Sequence, residues 1–431
     1  MSDTARLPVA TFIARNARWL FVGFLLAFLS SFGQTFFISM FGAEIRREFA
    51  LTNGEFGLIY MVGTLASAAV LVWAGQLADR FRVRTLGAAT IFGLSVAIVT
   101  MSFAGGVVTL LLAIFLLRFF GQGMMSHISM TAMGRWFDAY RGRALACSVF
   151  GYPLGEALLP TLAVLLISAV GWRASWQFAG AALLLVGLPA FLLALRVPRA
   201  RGGGRAAIEE PPAVDPPGMV HWHRSEVLRD RLYWLLVPCV LTPSFVVTGL
   251  FFHQAHLAET KGWSLAFWAG TYPAYAVASV ASSVLSGWAV DRFSGRRVLP
   301  GVCIPLGLAL LVLASGNTPL LALIAMVLIG LTAGSTNTVF GALWPELYGT
   351  RRLGAIKALA TAAMVFSSAL GPGAMGVMLD AGISIERQCA VIGLFCLAVA
   401  VLARSLRHQM RQTQPALYGG TTPQMNGDRT I

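Results

Sequence analysis

Charge is what this sequence has least of. Of its 431 residues only 12% are Asp, Glu, Lys or Arg, against 57% hydrophobic, and its mean hydropathy is +0.73. A water-soluble chain of this length needs far more polar surface. Cysteine is scarce too. Cys147, Cys239, Cys303, Cys389 and Cys396 fall in or beside apolar stretches, without CxxC or metal-ligand spacing. They read as small apolar fillers rather than as a disulfide frame or a metal site. Phosphate loops, metal constellations and nucleophile elbows are missing, so an enzyme has no support and neither a cofactor nor a metal is expected. The first apolar stretch has no small-residue cleavage site and is too long for the core of a signal peptide, which leaves it a helix of the mature protein.

What is present is length without polarity. Twelve apolar stretches occur, at about 19–41, 56–77, 84–104, 107–133, 144–168, 174–196, 232–254, 265–289, 297–316, 319–343, 354–378 and 386–406. Twenty residues cross a ~30 Å hydrocarbon core as a helix, and backbone groups in lipid must be satisfied within the segment. The expectation is an all-α membrane protein of twelve transmembrane helices. Residues 1–18 read as an N-terminal tail, 19–196 as one six-helix bundle and 232–406 as another. Between them, 197–231 is rich in Gly, Pro and charge and reads as a linker with a short interfacial helix near 222–231. Residues 407–431 read as a polar C-terminal tail.

The net charge of +14 raises nucleic acid as a partner, and its distribution answers that. With alternating loops, twenty-six Lys and Arg fall on the side of the termini and five on the other (Arg46, Arg47, Arg173, Lys261 and Arg387), leaving Arg118 inside a span. This is the positive-inside pattern. It places both termini and the linker in the cytoplasm, and no basic patch needs a nucleic-acid explanation. The partners expected are the lipid bilayer, a small-molecule substrate and a proton, with the chain acting as a monomer in a bacterial inner membrane.

The halves echo each other. GQLADRFRVR (75–84) is matched by GWAVDRFSGRR (287–297) at an offset of 212 residues, WFDAYRGR (136–143) by WPELYGTRR (344–352), and GQTFFIS (33–39) by TGLFFHQ (248–254). Repetition at half length points to two pseudo-symmetric bundles. The run Gly75, Leu77, Ala78, Asp79, Arg80, Arg82 and Arg84 resembles the signature of the major facilitator superfamily between its second and third helices, with Arg82 replacing a usual glycine. The resemblance implies alternating access by rocking of the halves around a central cavity. It also implies that Asp79, Arg80 and Arg84, with Asp291 and Arg292 as their second copy, belong to a gate in which Asp79 latches to a helix end and a nearby Arg. WFDAYRGRALA (136–146) is similar to the monocarboxylate porter and oxalate:formate antiporter groups. Oxalate antiporters keep basic residues in helices 8 and 11. Here helix 8 has none and Lys357 lies at the start of helix 11, which disfavours a dicarboxylate held by two cations.

Two charges lie deep in apolar spans: Arg118, about eleven residues or ~17 Å into the fourth, and Glu156, at similar depth in the fifth. A charge at that depth costs at least ~2.5–3.5 kcal/mol, so it needs a partner or a task. The two are expected to meet, either as a static ion pair or as a pair whose strength changes when Glu156 takes a proton and substrate competes for Arg118. At 100° per residue, Gln122, Met125 and Ser129 share the face of Arg118 and His127 points away. Arg118 with Gly121 and Gly123 also resembles the superfamily's helix-4 motif, whose arginine is associated with proton coupling. Gly151, Pro153 and Gly155 match the helix-5 signature of drug antiporters poorly.

Mid-span polar residues are the candidate cavity lining: Ser31 and Gln34, Tyr272 and Tyr275, and Thr332, Ser335 and Asn337. His253 and His256, at the end of the seventh span, are candidates for an outer gate. The function expected is secondary transport of a small organic anion, a monocarboxylate first, coupled to protons. The alternative is a proton-coupled exporter of amphipathic or cationic compounds, with Glu156 as counter-ion. The charge bias makes a direct prediction. In a cysteine-free background, a single cysteine at position 261 should react with an impermeant reagent added outside, and one at 205 should not; strong outside labelling at 205 reverses the topology.

Overall fold

The computed structural model describes residues 8–137, 140–197 and 219–413. The C-terminal tail beyond 413, most of the linker and Asp138 in the 136–143 turn lie outside these. Among the described residues there are twelve helices long and apolar enough to cross a membrane. They are α1 (Val9–Gly33), α2 (Asn53–Arg80), α3 (Val83–Ser102), α4 (Val107–Trp136), α5 (Arg141–Val170), α6 (Trp172–Ala194), α7 (Arg231–Phe252), α8 (Leu265–Phe293), α9 (Gly295–Ser315), α10 (Pro319–Tyr348), α11 (Leu353–Asp380) and α12 (Ile385–Ser405). No strand occurs among the described residues, and all five cysteines are free.

Two compact units result. The first contains Met1–Glu210 together with Thr248–Ala276 and Ala369–Gly382. The second contains Pro211–Val247, Val277–Ser368 and Ile383–Ile431. The expected division at the linker therefore differs from the observed one. One end of α7, of α8 and of α11 is part of the first unit.

In the first unit, two boundaries differ from expectation. The helix expected from residue 19 begins at Val9, behind Pro8. Phe12 is buried there, 5.6 Å from Phe137 and 5.1 Å from Tyr140, ring to ring. Hydropathy misses this extension because Arg15 and Arg18 occupy its other face, with Arg18 over the Trp19 ring. The helix also does not run unbroken to 41. It tightens to a 3₁₀ turn at Ser30–Gly33, restarts at Thr35–Ile38, and is followed by a short helix at Gly42–Glu48. A capping box then starts α2: Thr52 Oγ1 accepts from the Glu55 amide at 3.1 Å, and Glu55 Oε2 from the Thr52 amide at 2.8 Å.

In the second unit, α9 and α12 cross at glycines. A Cβ on Gly307 would lie 2.9 Å from the Gly393 carbonyl oxygen, so only glycine lets the two backbones approach this closely. The described end of the linker is fastened to α10. The Trp222 amide donates to the Tyr348 carbonyl at 3.1 Å, Tyr348 Oη donates to Asp230 Oδ2 at 2.9 Å, and a short helix, Arg224–Arg229, occupies the place expected near 222–231.

The distal end of the first unit, the one opposite Val9, is tied by one ion cluster. Glu48 accepts from Trp172 Nε1 at 2.7 Å and from Arg173 Nη2 at 2.5 Å. Arg173 also donates to the carbonyls of Ser102 and Ala104 at 2.6 Å each. The Arg173 hydrogen bond holds the Glu48 carboxyl below its ordinary range. A depressed carboxyl contributes stability above its unfolded value, about 4.3, and that contribution is lost as pH falls through the folded value. Glu48→Gln should therefore melt below wild type at pH 7, and the gap should close as pH drops under about 4. A gap that persists in acid would mean that shape rather than charge holds this end together.

Candidate functional site

The site starts with two glycines. At Gly33, α1 leaves helical geometry and its backbone meets α4: a Cβ there would collide with the Leu117 carbonyl and lie 2.8 Å from the Gln122 nitrogen and the Gly121 Cα. Opposite it, α4 is π-helical over Leu117–Met125. A π segment bonds i to i+5 and is frequent at functional sites. Arg118 lies inside it, 1% exposed. Its Nη1 donates to the Gly33 carbonyl at 3.0 Å, its guanidinium lies 5.3 Å from the centre of the Tyr60 ring, and its Nε is buried without a partner. Tyr60 is held in turn by a 2.6 Å hydrogen bond between its hydroxyl and Thr35 Oγ1.

The expected meeting of Arg118 with Glu156 does not occur. Glu156 is half-buried on α5, and its carboxyl faces the hydroxyl of Tyr275 on α8. The broken α1 leads each charge elsewhere. Gly33 supplies a carbonyl to Arg118, while Ser31 packs on Gly155 beside Glu156, its Oγ buried without a hydrogen-bond partner. Gln34 and Gln122 are half-buried next to Gly33 and Gly121. On α4, Ser129 faces α1, the helix that Arg118 also meets. Ser129 Oγ donates to the Gly23 carbonyl at 2.8 Å and lies 2.6 Å from Ser148 Oγ. His127 does point away, its Nε2 3.0 Å from the Gly75 carbonyl.

Beside Glu156 begins a network that reaches the distal end. Tyr272 and Tyr275 are buried with ring centres 6.0 Å apart. Tyr272 Oη donates to Gln254 Oε1 at 2.7 Å, and Trp268 Nε1 donates to the same oxygen at 2.9 Å. Gln254 Nε2 donates to the Phe36 carbonyl at 2.9 Å and to Ser39 Oγ at 2.7 Å. Ser39 Oγ is also 2.7 Å from the Phe251 carbonyl. His253 Nε2 donates to the Pro372 carbonyl at 2.9 Å, and the Gly54 amide donates to Asp380 Oδ2 at 2.9 Å. His253 is thus buried in this seal, with half-buried His256 after it.

At the other end of the first unit, Asp79 forms an ion pair with Arg135 of α4, and the same guanidinium donates to the Ala78 carbonyl. Arg80 and Arg84 are exposed. In the second unit the copy differs. Asp291 and Arg292 are exposed, and it is Glu346 that holds the segment, accepting from the Gly295 amide at 2.7 Å. The α10 candidates also lie in this unit. Thr332 Oγ1 donates to the Val302 carbonyl at 3.1 Å and Ser335 Oγ to the Thr332 carbonyl at 3.0 Å, so both hydroxyls are spent on backbone, while Asn337 is exposed.

Sequence reasoning missed Tyr60, Thr35, Arg135 and the weight of Gln254. A tyrosine in the middle of an apolar span was an available signal for Tyr60. Gln254 joins four partners at one side chain, which only the tertiary contacts reveal. Replacing it by leucine strands the donors of Tyr272 and Trp268, at roughly 1–3 kcal/mol each. Gln254→Leu should lower the melting temperature and let a cysteine placed at Ser39 react with a polar thiol reagent. A Ser39 cysteine as protected as in the parent would remove Gln254 from the seal.

Comparison with known proteins adds the family. The profile of the Major Facilitator Superfamily matches residues 23–281 and 256–421. A probable sulfoacetate transporter of Cupriavidus necator is 30% identical over 145 residues, 33% of this chain and 34% of that one. The niacin transporter of Acinetobacter baylyi is 28% identical over 148 residues, 34% of each. The match thus spans about a third of the length of these two relatives. The glycerol-3-phosphate transporter of Bacillus subtilis is 24% identical over 312 residues, 67% of this chain and 70% of that one. Among solved structures, the nucleoside transporter NupG superposes with a TM-score of 0.69 over 91% of this chain and 98% of that one, at 12% identity. A bacterial homologue of the human lysosomal transporter Spinster, inward-facing and unoccupied, gives 0.64 over 96% and 95%, at 18%. At those identities the likeness is of fold alone.

Proposed function

The chain belongs to the Major Facilitator Superfamily, and from that premise we propose that it is a secondary transporter that moves a small organic anion, a monocarboxylate first, together with a proton. It works by alternating access, as a monomer, in a bacterial cytoplasmic membrane with both termini inside. The observation that carries this reading is Arg118. A buried guanidinium with one carbonyl, one aromatic face and an unpartnered Nε has donors to spare and no anion to meet them. A carboxylate matches that planar fork. Three of the relatives are named for compounds with an anionic group, sulfoacetate, niacin and glycerol 3-phosphate. Glu156, without a cation beside it, carries the proton, and the Tyr275 hydroxyl it faces holds the carboxyl in place.

The same isolation of Glu156 favours one other reading, an exporter of cationic or amphipathic compounds with Glu156 as their counter-ion. Two variants separate the readings. Arg118→Lys keeps the charge and loses the fork. In the anion reading it should raise KM by roughly 10–150-fold, the worth of a charge-assisted hydrogen bond, with folding intact. Glu156→Gln should abolish uphill uptake on a pH gradient and retain counterflow exchange of labelled substrate, since exchange moves no net proton. Folded Glu156→Gln protein that still concentrates a carboxylate rules out the proton role. Transport of cations indifferent to Arg118→Lys favours the exporter.

A further inference from the structure

The second unit carries a basic cluster outside the candidate site. Arg297 begins α9, Arg404 lies in the last turn of α12, and Arg407 opens the short helix Arg407–Gln412 beyond it. Arg407 Nη2 donates to the Arg297 carbonyl at 2.6 Å, while its Nε is buried without a partner. Among the described residues no carboxylate forms an ion pair with any of the three. Burial, then the neighbouring charges of Arg404 and Arg297, hold the Arg407 guanidinium below its ordinary value. Topology alone asks only that positive charge lie near this end. It does not ask that three arginines converge, which costs repulsion unless an anion joins them.

The surface beside the cluster is apolar. Along α9, Arg297, Gly301, Ile304 and Leu308 recur at helical spacing on one exposed face. On α12, Arg404, Val401 and Leu394 do the same. The Gly307–Gly393 crossing holds these helices together. At Gly301 an added Cβ would meet nothing within 4 Å, so the face is open there. An apolar track along two membrane helices that ends in unneutralised arginines at the ends of those spans has the chemistry of one kind of ligand.

We propose that Arg297, Arg404 and Arg407 bind the phosphate headgroup of an anionic phospholipid whose acyl chain lies along the Gly301–Leu308 face of α9. The lipid acts as the missing counter-anion and braces the α9–α12 pair.

The experiment uses the full chain, purified and delipidated. Phosphatidylglycerol, phosphatidylcholine and inorganic phosphate are added separately, with bound lipid read by native mass spectrometry and stability by melting. Phosphatidylglycerol should remain bound and raise the melting temperature; phosphatidylcholine and inorganic phosphate should do neither. Arg404→Gln with Arg407→Gln should weaken phosphatidylglycerol binding by roughly thirtyfold, the loss of two charges at a membrane surface. Gly301→Phe keeps all three arginines and fills the track, so it should also weaken binding. An equal shift with inorganic phosphate makes this a free-anion site and overturns the lipid. Phosphatidylglycerol binding unchanged in the double variant and in Gly301→Phe, both folded, overturns the site.

Discussion

The backbone contact between Gly33 and Gly121 is the constraint on which the rest of the first unit depends. At this contact neither helix keeps ideal geometry. One breaks into a 3₁₀ turn at Ser30–Gly33, and the other widens into a π segment over Leu117–Met125. The break exposes a carbonyl that an intact helix would have consumed, and Arg118 takes it. The burial of this cation is therefore made tolerable by a defect in its neighbour. The same break turns the chain so that Thr35 reaches Tyr60 and Ser39 reaches Gln254.

The twelve spans were legible because a bilayer imposes a length and a hydropathy that a window can count. Their ends were less so. Phe12 is buried on a helix whose other face is arginine-rich, and averaging hides that pattern. Arg118 and Glu156 were legible as candidates because charge at membrane depth is expensive. Their relation was not. Equal depth on adjacent spans suggested contact, but π geometry on α4 and the interposed α1 decide which neighbours each meets. Glu156 faces a tyrosine 119 residues away, a pairing that no local period encodes.

The repeat was legible in the same partial way. Its two copies share a position in the chain, but different side chains do the holding. In the first unit Asp79 pairs with Arg135. In the second, Asp291 is exposed and Glu346 caps the start of α9 through the Gly295 amide. The first copy is held by a guanidinium on Asp79 and on the Ala78 carbonyl, the second by a carboxylate that accepts from a backbone amide.

The division of charge within the first unit bears on how transport and sealing relate. The hydrogen bonds that join Gln254 to Tyr272, Trp268, Phe36 and Ser39 are all made by groups that carry no charge. The ionisable members of the network, His253 and Asp380, join it through bonds to backbone groups. Its strength depends on every donor finding its acceptor, since a stranded buried donor costs more than a made bond contributes. Arg118 and Glu156, the charges proposed to meet substrate and proton, lie outside it, each with a single polar protein contact. Tyr275 stands at the junction, its hydroxyl facing Glu156 and its ring beside Tyr272. Glu156 and the distal network thus meet at this aromatic pair.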